Sequence, residues 1–305
     1  MQARRILAYF AIYILWGGSF LGIREVVSVT PPFSAAAIRF FLAGLILLTY
    51  AQLRGLGSIT RRQWLGAALL GLIMFACEYA CLFWAEQRIS SGIASVISAT
   101  IPVWIFAGEV FLLRTQRITA KSLAGIALGF LGVVILTWQS TRAGQVGSAF
   151  AMVIALVGSF CWSGGTLLSR RLVLPASRVT SAGWQMATGG FLLFLLASVT
   201  REGHRLPAAF AHWSPRVIVA MAYLILAASL LAFTAYVWLL GHEPMGRVAS
   251  YAYVNPVVAL ALGAWLGNEH LTLLQVLGSV LVLAGVFATL TGKTSLPPVP
   301  ITSTN

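Results

Sequence analysis

The stretch "SYAYVNPVVALALGAW" (Ser250–Trp265) decides how this chain is read. It is apolar enough to lie in a lipid bilayer, yet Asn255 and Pro256 stand near its middle. Proline withholds a backbone donor and crowds the carbonyl one turn back, so it kinks or breaks a helix. In hydrocarbon a carbonyl freed in this way has to be served from within the protein. A helix weakened at mid-depth is expected where its backbone borders a cavity.

The rest of the chain has the same character. Of 305 residues 59% are hydrophobic and 9% charged, and the mean hydropathy is +0.90. A soluble domain carries about 25% charged residues, so a water-facing surface is excluded and a lipid bilayer is the expected surrounding. There are 20 Lys and Arg against 7 Glu and no Asp. The basic residues stand singly or in pairs between apolar runs, as membrane topology demands and nucleic-acid binding does not. Cys77, Cys81 and Cys161 all lie in apolar segments, which implies neither a disulfide framework nor a metal pair. The opening "MQARRILAYFAIYILWGG" lacks a small-x-small cleavage site and reads as a first membrane helix.

A span needs about 20 apolar residues. Spans are predicted at 6–25, 33–54, 63–88, 91–113, 120–138, 147–170, 180–199, 216–240, 245–267 and 272–291, with a disordered tail from 293 to 305. Thirteen basic residues then fall on the side of the termini, six on the other side, and Arg39 inside a span. The positive-inside rule places both termini in the cytoplasm, in a multi-pass protein of the cell (inner) membrane.

The proline occurs twice. "WAEQRISSGIASVISATIPVWI" (84–105) aligns with "WLLGHEPMGRVASYAYVNPVVA" (238–259) at an offset of 154, so that Trp84 meets Trp238 and Pro102 meets Pro256. Gly125 meets Gly278 and Gly132 meets Gly285 at 153, while Gly44 meets Gly190 at 146. The chain therefore reads as an all-α integral membrane protein of two five-helix repeats, 1–143 and 144–292. Five is odd, so the second copy is inverted. Such repeats place a site at mid-depth where they meet, lined by interrupted helices, here at Pro102 and Pro256.

"NPVVALALGAWLGNEHLTLLQVLGSVLVLAGV" (255–286), "WGGSF" (16–20) and "IRFFLAG" (38–44) give the sequence a resemblance to the EamA family of the drug/metabolite transporter superfamily, and within it to the YddG- and YedA-like permeases. The resemblance implies ten helices, no ATP, and export of small metabolites such as amino acids. Glu269 matches the family's acid in the second copy, whereas "RTQRIT" (114–119) sets Gln116 in the corresponding place of the first.

Glu78, in "MFACEYACLFW" (74–84), is the one acid well inside a span. Placing a charge at a helix centre costs on the order of 2.5–3.5 kcal/mol, and such residues mark substrate or proton paths. Arg39 lies at comparable depth, so Glu78 reads either as its ion-pair partner or as a site for a substrate ammonium or a proton. Trp16, Tyr79, Trp104, Trp162, Trp184, Tyr251 and Tyr253 stand away from the span ends, and Asn255, Ser98 and Ser250 offer hydrogen bonds. Trp16, Glu78, Tyr79, Trp104, Trp162, Trp184, Tyr253 and Asn255 form the candidate substrate site, suited to a partly apolar, amphipathic solute.

A secondary transporter is the leading class. A passive channel is the alternative, since no coupling-ion site is written out. An intramembrane enzyme fares worse: there is no Asp, and His204, His212, His242 and His270 all fall in loops, leaving no His within the bilayer to serve a Ser or a metal. "TGKT" (291–294) lacks the glycine that a phosphate loop needs. No cofactor is expected, and a monomer is the default, with a dimer open.

Overall fold

Apolar runs become helices because a helix satisfies its own backbone, which lipid cannot do. The computed structural model describes residues 2–142, 146–243, 248, 250–270, 272–291 and 294–295. Its main helices are α1 (Gln2–Val27), α2 (Pro32–Leu53), α3 (Arg61–Glu86) and α4 (Ser91–Phe111), then α5 (Ala120–Arg142) and α6 (Val146–Ser169). They continue with α7 (Arg178–Val199), α8 (Pro215–Leu240), α9 (Tyr251–Leu266) and α10 (Leu273–Thr291). Among the described residues, seven are long and apolar enough to cross a membrane; α5, α9 and α10 hold shorter apolar stretches. The expected tail falls outside the described residues apart from Thr294 and Ser295, which pair antiparallel with Gln116 and Arg117.

Several helix starts are written locally. Thr60 and Gln63 form a reciprocal capping box before α3. Ser90, Ser177 and Ser214 each accept from a backbone N–H in the first turn of α4, α7 and α8.

Contacts between helix ends sort into two groups. Near the N-terminus, Arg5 bridges Glu243 at 3.1 Å and Thr180 Oγ1 donates to Leu56 O at 2.7 Å. Near the end of α1, Arg216 bridges Glu25 at 2.5 Å. On that same face Ser34 N donates to Glu202 Oε2 at 2.7 Å, and Ser148 Oγ donates to Arg88 O at 2.9 Å. These are called below the N-terminal face and the opposite face.

The longest helix contacts run between α2 and α7 and between α5 and α10, and they are reciprocal. A Cβ on Gly44 would collide with the backbone of Ala187, and one on Gly190 with the backbone of Phe41. Gly44 aligns with Gly190 at an offset of 146, and Phe41 aligns with Ala187 at that same offset. Likewise a Cβ on Gly132 would stand 2.6 Å from Gly278 O, and one on Gly285 2.6 Å from Gly125 O. Self-complementary contact of this kind is what a two-fold axis produces.

Two helices also share a wide, π-helical section: Gly71–Cys77 in α3 and Leu224–Phe233 in α8. A third, Ala11–Leu15, lies in α1. Helix α4 is broken outright. Its halves, Ser91–Ser98 and Ile101–Phe111, meet at a turn over Ala99 and Thr100, and Pro102 opens the second half. The carbonyls at the break are served from nearby: Thr100 Oγ1 donates to Ile97 O at 2.7 Å, and Ser163 Oγ of α6 donates to Ile101 O at 3.0 Å. Pro256 departs from the expectation. It sits inside the continuous helix Tyr251–Leu266, so α9 is not interrupted there, and proline's missing donor is absorbed as a local irregularity.

Candidate functional site

The break in α4 borders a cavity. Its wall is made by α1 (Trp16, Ser19, Phe20), α3 (Glu78, Tyr79, Leu82), α4 (Ser95, Ser98, Ala99, Ile101), α6 (Trp162) and α9 (Tyr251, Ala252, Asn255, Pro256). The cavity measures about 50 Å³, whereas ligand pockets usually run to about 300–1,000 Å³. Toward the N-terminal face a second cavity of about 370 Å³ begins beyond Phe233 and Tyr236.

Between the two lies an aromatic cluster. Trp16 meets Trp162 edge-on at 5.8 Å and Tyr251 edge-on at 5.3 Å, and it lies 5.0 Å from Tyr236. Tyr79 meets Trp162 edge-on at 6.2 Å. Such pairs each add about 0.5–1.5 kcal/mol beyond their burial, so the plug is cohesive.

The wide sections supply acceptors that neighbouring helices satisfy. Trp16 Nε1 donates to Ala228 O of α8 at 3.0 Å, and Tyr223 OH donates to Leu15 O of α1 at 2.8 Å. With the Asn255 amide turned so that its nitrogen faces α1, Nδ2 donates to Tyr13 O at 2.9 Å and Ile12 O at 3.0 Å. Trp16 and Asn255 therefore line the cavity while holding α1 to α8 and α9.

Glu78 is 5% exposed, and its Oε2 has no hydrogen-bond partner. The expected ion pair with Arg39 is not made: among the described residues no salt bridge joins them. Arg39 Nε donates to Ser229 Oγ at 3.0 Å, and its guanidinium lies 4.5 Å from the Phe40 ring centre and 5.2 Å from that of Tyr79. Consecutive residues point about 100° apart around a helix. The face of α3 that meets Arg39 is the one bearing Tyr79, which leaves Glu78 to the cavity.

Trp16, Glu78, Tyr79, Trp162, Asn255 and Pro256 thus come together as expected. Trp104 does not: half-buried, it packs edge-on against Phe160 at 5.5 Å. Trp184 packs against Trp64 at 6.4 Å, away from the cavity. Tyr253 lies in α9, but its side chain falls outside the described residues. Pro102 is buried at the break beside the cavity. One acid carries no signal in the sequence: Glu86 closes α3 with no exposed surface. Glu269, the acid of the second copy, accepts from Ser91 N at 2.8 Å, Ser91 Oγ at 2.9 Å and Gly92 N at 3.3 Å, capping α4.

A bundle of apolar helices closed around a small polar and aromatic cavity is the build of a membrane transporter. The model of the EamA-like transporter family matches residues 4–138 and 149–291, and the chain belongs to that family. It is 34% identical over 308 residues to the "Uncharacterized inner membrane transporter YedA" of Escherichia coli (strain K12), covering 99% of this chain and 96% of that one. It is 28% identical over 288 residues to a protein of Salmonella typhimurium (strain LT2) named "Probable amino-acid metabolite efflux pump", covering 92% and 93%. A solved crystal structure superposes with a TM-score of 0.64 at 19% identity, over 95% of this chain and 98% of that one, which shows a shared fold.

Proposed function

We propose that this protein is a secondary transporter that exports small amphipathic metabolites, amino acids and aromatic ones among them, by alternating access through the central cavity. On this reading two inverted five-helix copies, residues 1–143 and 144–292, rock about the α2–α7 and α5–α10 contacts. The observation that carries it is the small cavity at the break in α4, whose wall draws on helices of both copies. The reciprocal glycine contacts and the two matches of one family model support the duplication. An amine nitrogen meets Glu78, and an apolar side chain meets Trp16, Tyr79 and Trp162. A monomer is the default unit. The protein sits in the inner membrane with both termini cytoplasmic, and no nucleotide or cofactor takes part.

Sealed liposomes carrying the purified protein test this. Loading them with phenylalanine or tryptophan is expected to give saturable uptake of the labelled amino acid, stimulated by the internal pool. Glu78→Gln is expected to cut that uptake by about ten- to a hundredfold, the scale of a lost charged hydrogen bond. Flux that rises linearly with concentration and ignores the internal pool means a pore, and overturns the reading.

A further inference from the structure

We propose that Glu86 is a proton-binding site distinct from Glu78, and that release of its proton accompanies opening of the bundle on the face opposite the N-terminus. The proposal rests on the alternating-access reading and adds what drives one of its steps.

Glu86 is wholly buried, and neither of its carboxyl oxygens has a hydrogen-bond partner. The charged groups around it are Glu269 from the segment after α9, Arg24 from α1, Arg39 from α2 and Glu78 from its own helix. Helices α4 and α6, which also pack on this half of α3, carry no charge near it; Glu109 is the only charged residue in α4, at its far end. None of the nearby cations is spent on the carboxyl. Arg24 Nη1 donates to the backbone carbonyl of Glu86, Arg39 Nε goes to Ser229, and Glu269 is committed to Ser91 and Gly92. An unpaired buried carboxylate carries a desolvation penalty of several kcal/mol, which a carboxyl escapes by keeping its proton.

The surroundings say what would release it. Glu86 lies at the face where Glu25–Arg216 and Glu269–Ser91 tie the first half of the chain to the second. Parting those contacts admits water to Glu86. Arg24, already on the carbonyl of the same residue, then needs only to swing onto the ionised carboxylate. The closed form binds one proton more than the open form, so raising the pH favours opening and lowering it favours closure. Glu78 and Glu86 stand eight residues apart, about 12 Å along α3, so the proton and the solute occupy different places on one helix.

The test needs no identified substrate. The full chain, with Cys77, Cys81 and Cys161 replaced by Ser and with Ser95→Cys as reporter, is reconstituted in liposomes and labelled with a membrane-impermeant thiol reagent from the face bearing Glu86. Divided at each pH by the labelling of the same Ser95→Cys thiol in the Glu86→Gln protein, so that ionisation of the thiol itself cancels, labelling is expected to rise with pH, by up to about tenfold per pH unit, the limit for one proton. Glu86→Gln is expected to label slowly at every pH, and Glu86→Asp to keep the pH dependence. In difference infrared spectra the closed protein should show a protonated-carboxyl band that Glu86→Gln lacks. A Glu86→Gln profile that still follows the wild type, or an unchanged carboxyl band, overturns the proposal. Neither result touches amino-acid exchange in liposomes, so failure here is separable from failure of the transport reading.

Discussion

The paired helices α2–α7 and α5–α10 differ in kind from the helices that wall the cavity. In the first set the two halves of the chain agree residue for residue: what Gly44 does to Ala187, Gly190 does to Phe41. In the second set α3 and its mate α8 still share a wide section, but elsewhere the halves diverge. Helix α1 carries a wide section at Ala11–Leu15, whereas α6 is a regular helix throughout Val146–Ser169. Helix α4 breaks ahead of Pro102, whereas Pro256 lies within an unbroken α9. Glu78 of α3 falls opposite the apolar Leu231 and Ala232 of α8. On the proposed alternating-access reading, symmetry is kept where two halves would move as equals about one axis, and it is lost where an asymmetric solute would be gripped.

Breaking the symmetric part should have the largest effect. Gly44→Leu drives a side chain into the Ala187 backbone, which cannot retreat without parting α2 from α7. Overpacking typically costs about 1–3 kcal/mol, and with backbone on the far side the upper end is expected. Loss of the monodisperse peak in size-exclusion chromatography reads it out. Gly147→Leu, with nothing near its Cβ position, should leave the peak unchanged.

The prolines sharpen the comparison at the next level. Pro102→Ala restores a donor at a place where the chain already turns, so it is expected to mend α4 and close the cavity wall. Uptake should fall by about tenfold or more, as when a group is displaced by an ångström. Pro256→Ala changes a helix that is already continuous, so uptake should stay within about threefold and thermal stability should hold or rise. Equal losses for the two would mean that the break in α4 has no part in transport.

How far the site was legible follows from the same contrast. The span boundaries were readable because hydrocarbon and core both demand apolar residues. For that very reason the azimuth of each helix was not: Trp104 and Trp184 share depth with Trp162, yet only Trp162 turns inward. Depth alone also left Glu78 open between an ion pair with Arg39 and a solute or proton site, because the azimuth that turns Arg39 to Ser229 and the Phe40 and Tyr79 rings is not written in the sequence. Glu86 was hidden by its position two residues from a predicted span end, where an acid reads as interfacial. Asn255 lines the cavity, but its engagement with Tyr13 and Ile12 depends on a wide turn in α1 that no local residue pattern announces.

The smallest effects concern the two ends of α1, and they bear on direction. Arg5–Glu243 holds the N-terminal face and Glu25–Arg216 the opposite face. The Glu25–Arg216 pair is largely exposed and contributes about 0–1 kcal/mol, so Glu25→Gln should leave thermal stability nearly unchanged, whereas Arg5 covers a buried Glu243, so Arg5→Gln should lower it somewhat more. The same 1 kcal/mol is about a fivefold change in a two-state ratio, and here the ratio is between closed and open. Arg5→Gln loosens only the N-terminal face and Glu25→Gln only the other. With Ser95→Cys as reporter, each variant should therefore raise labelling by up to about fivefold from its own side alone. A rise from both sides in either variant would mean that the faces are not alternately held. The balance between the two halves would then lie elsewhere than in the ties at the ends of α1.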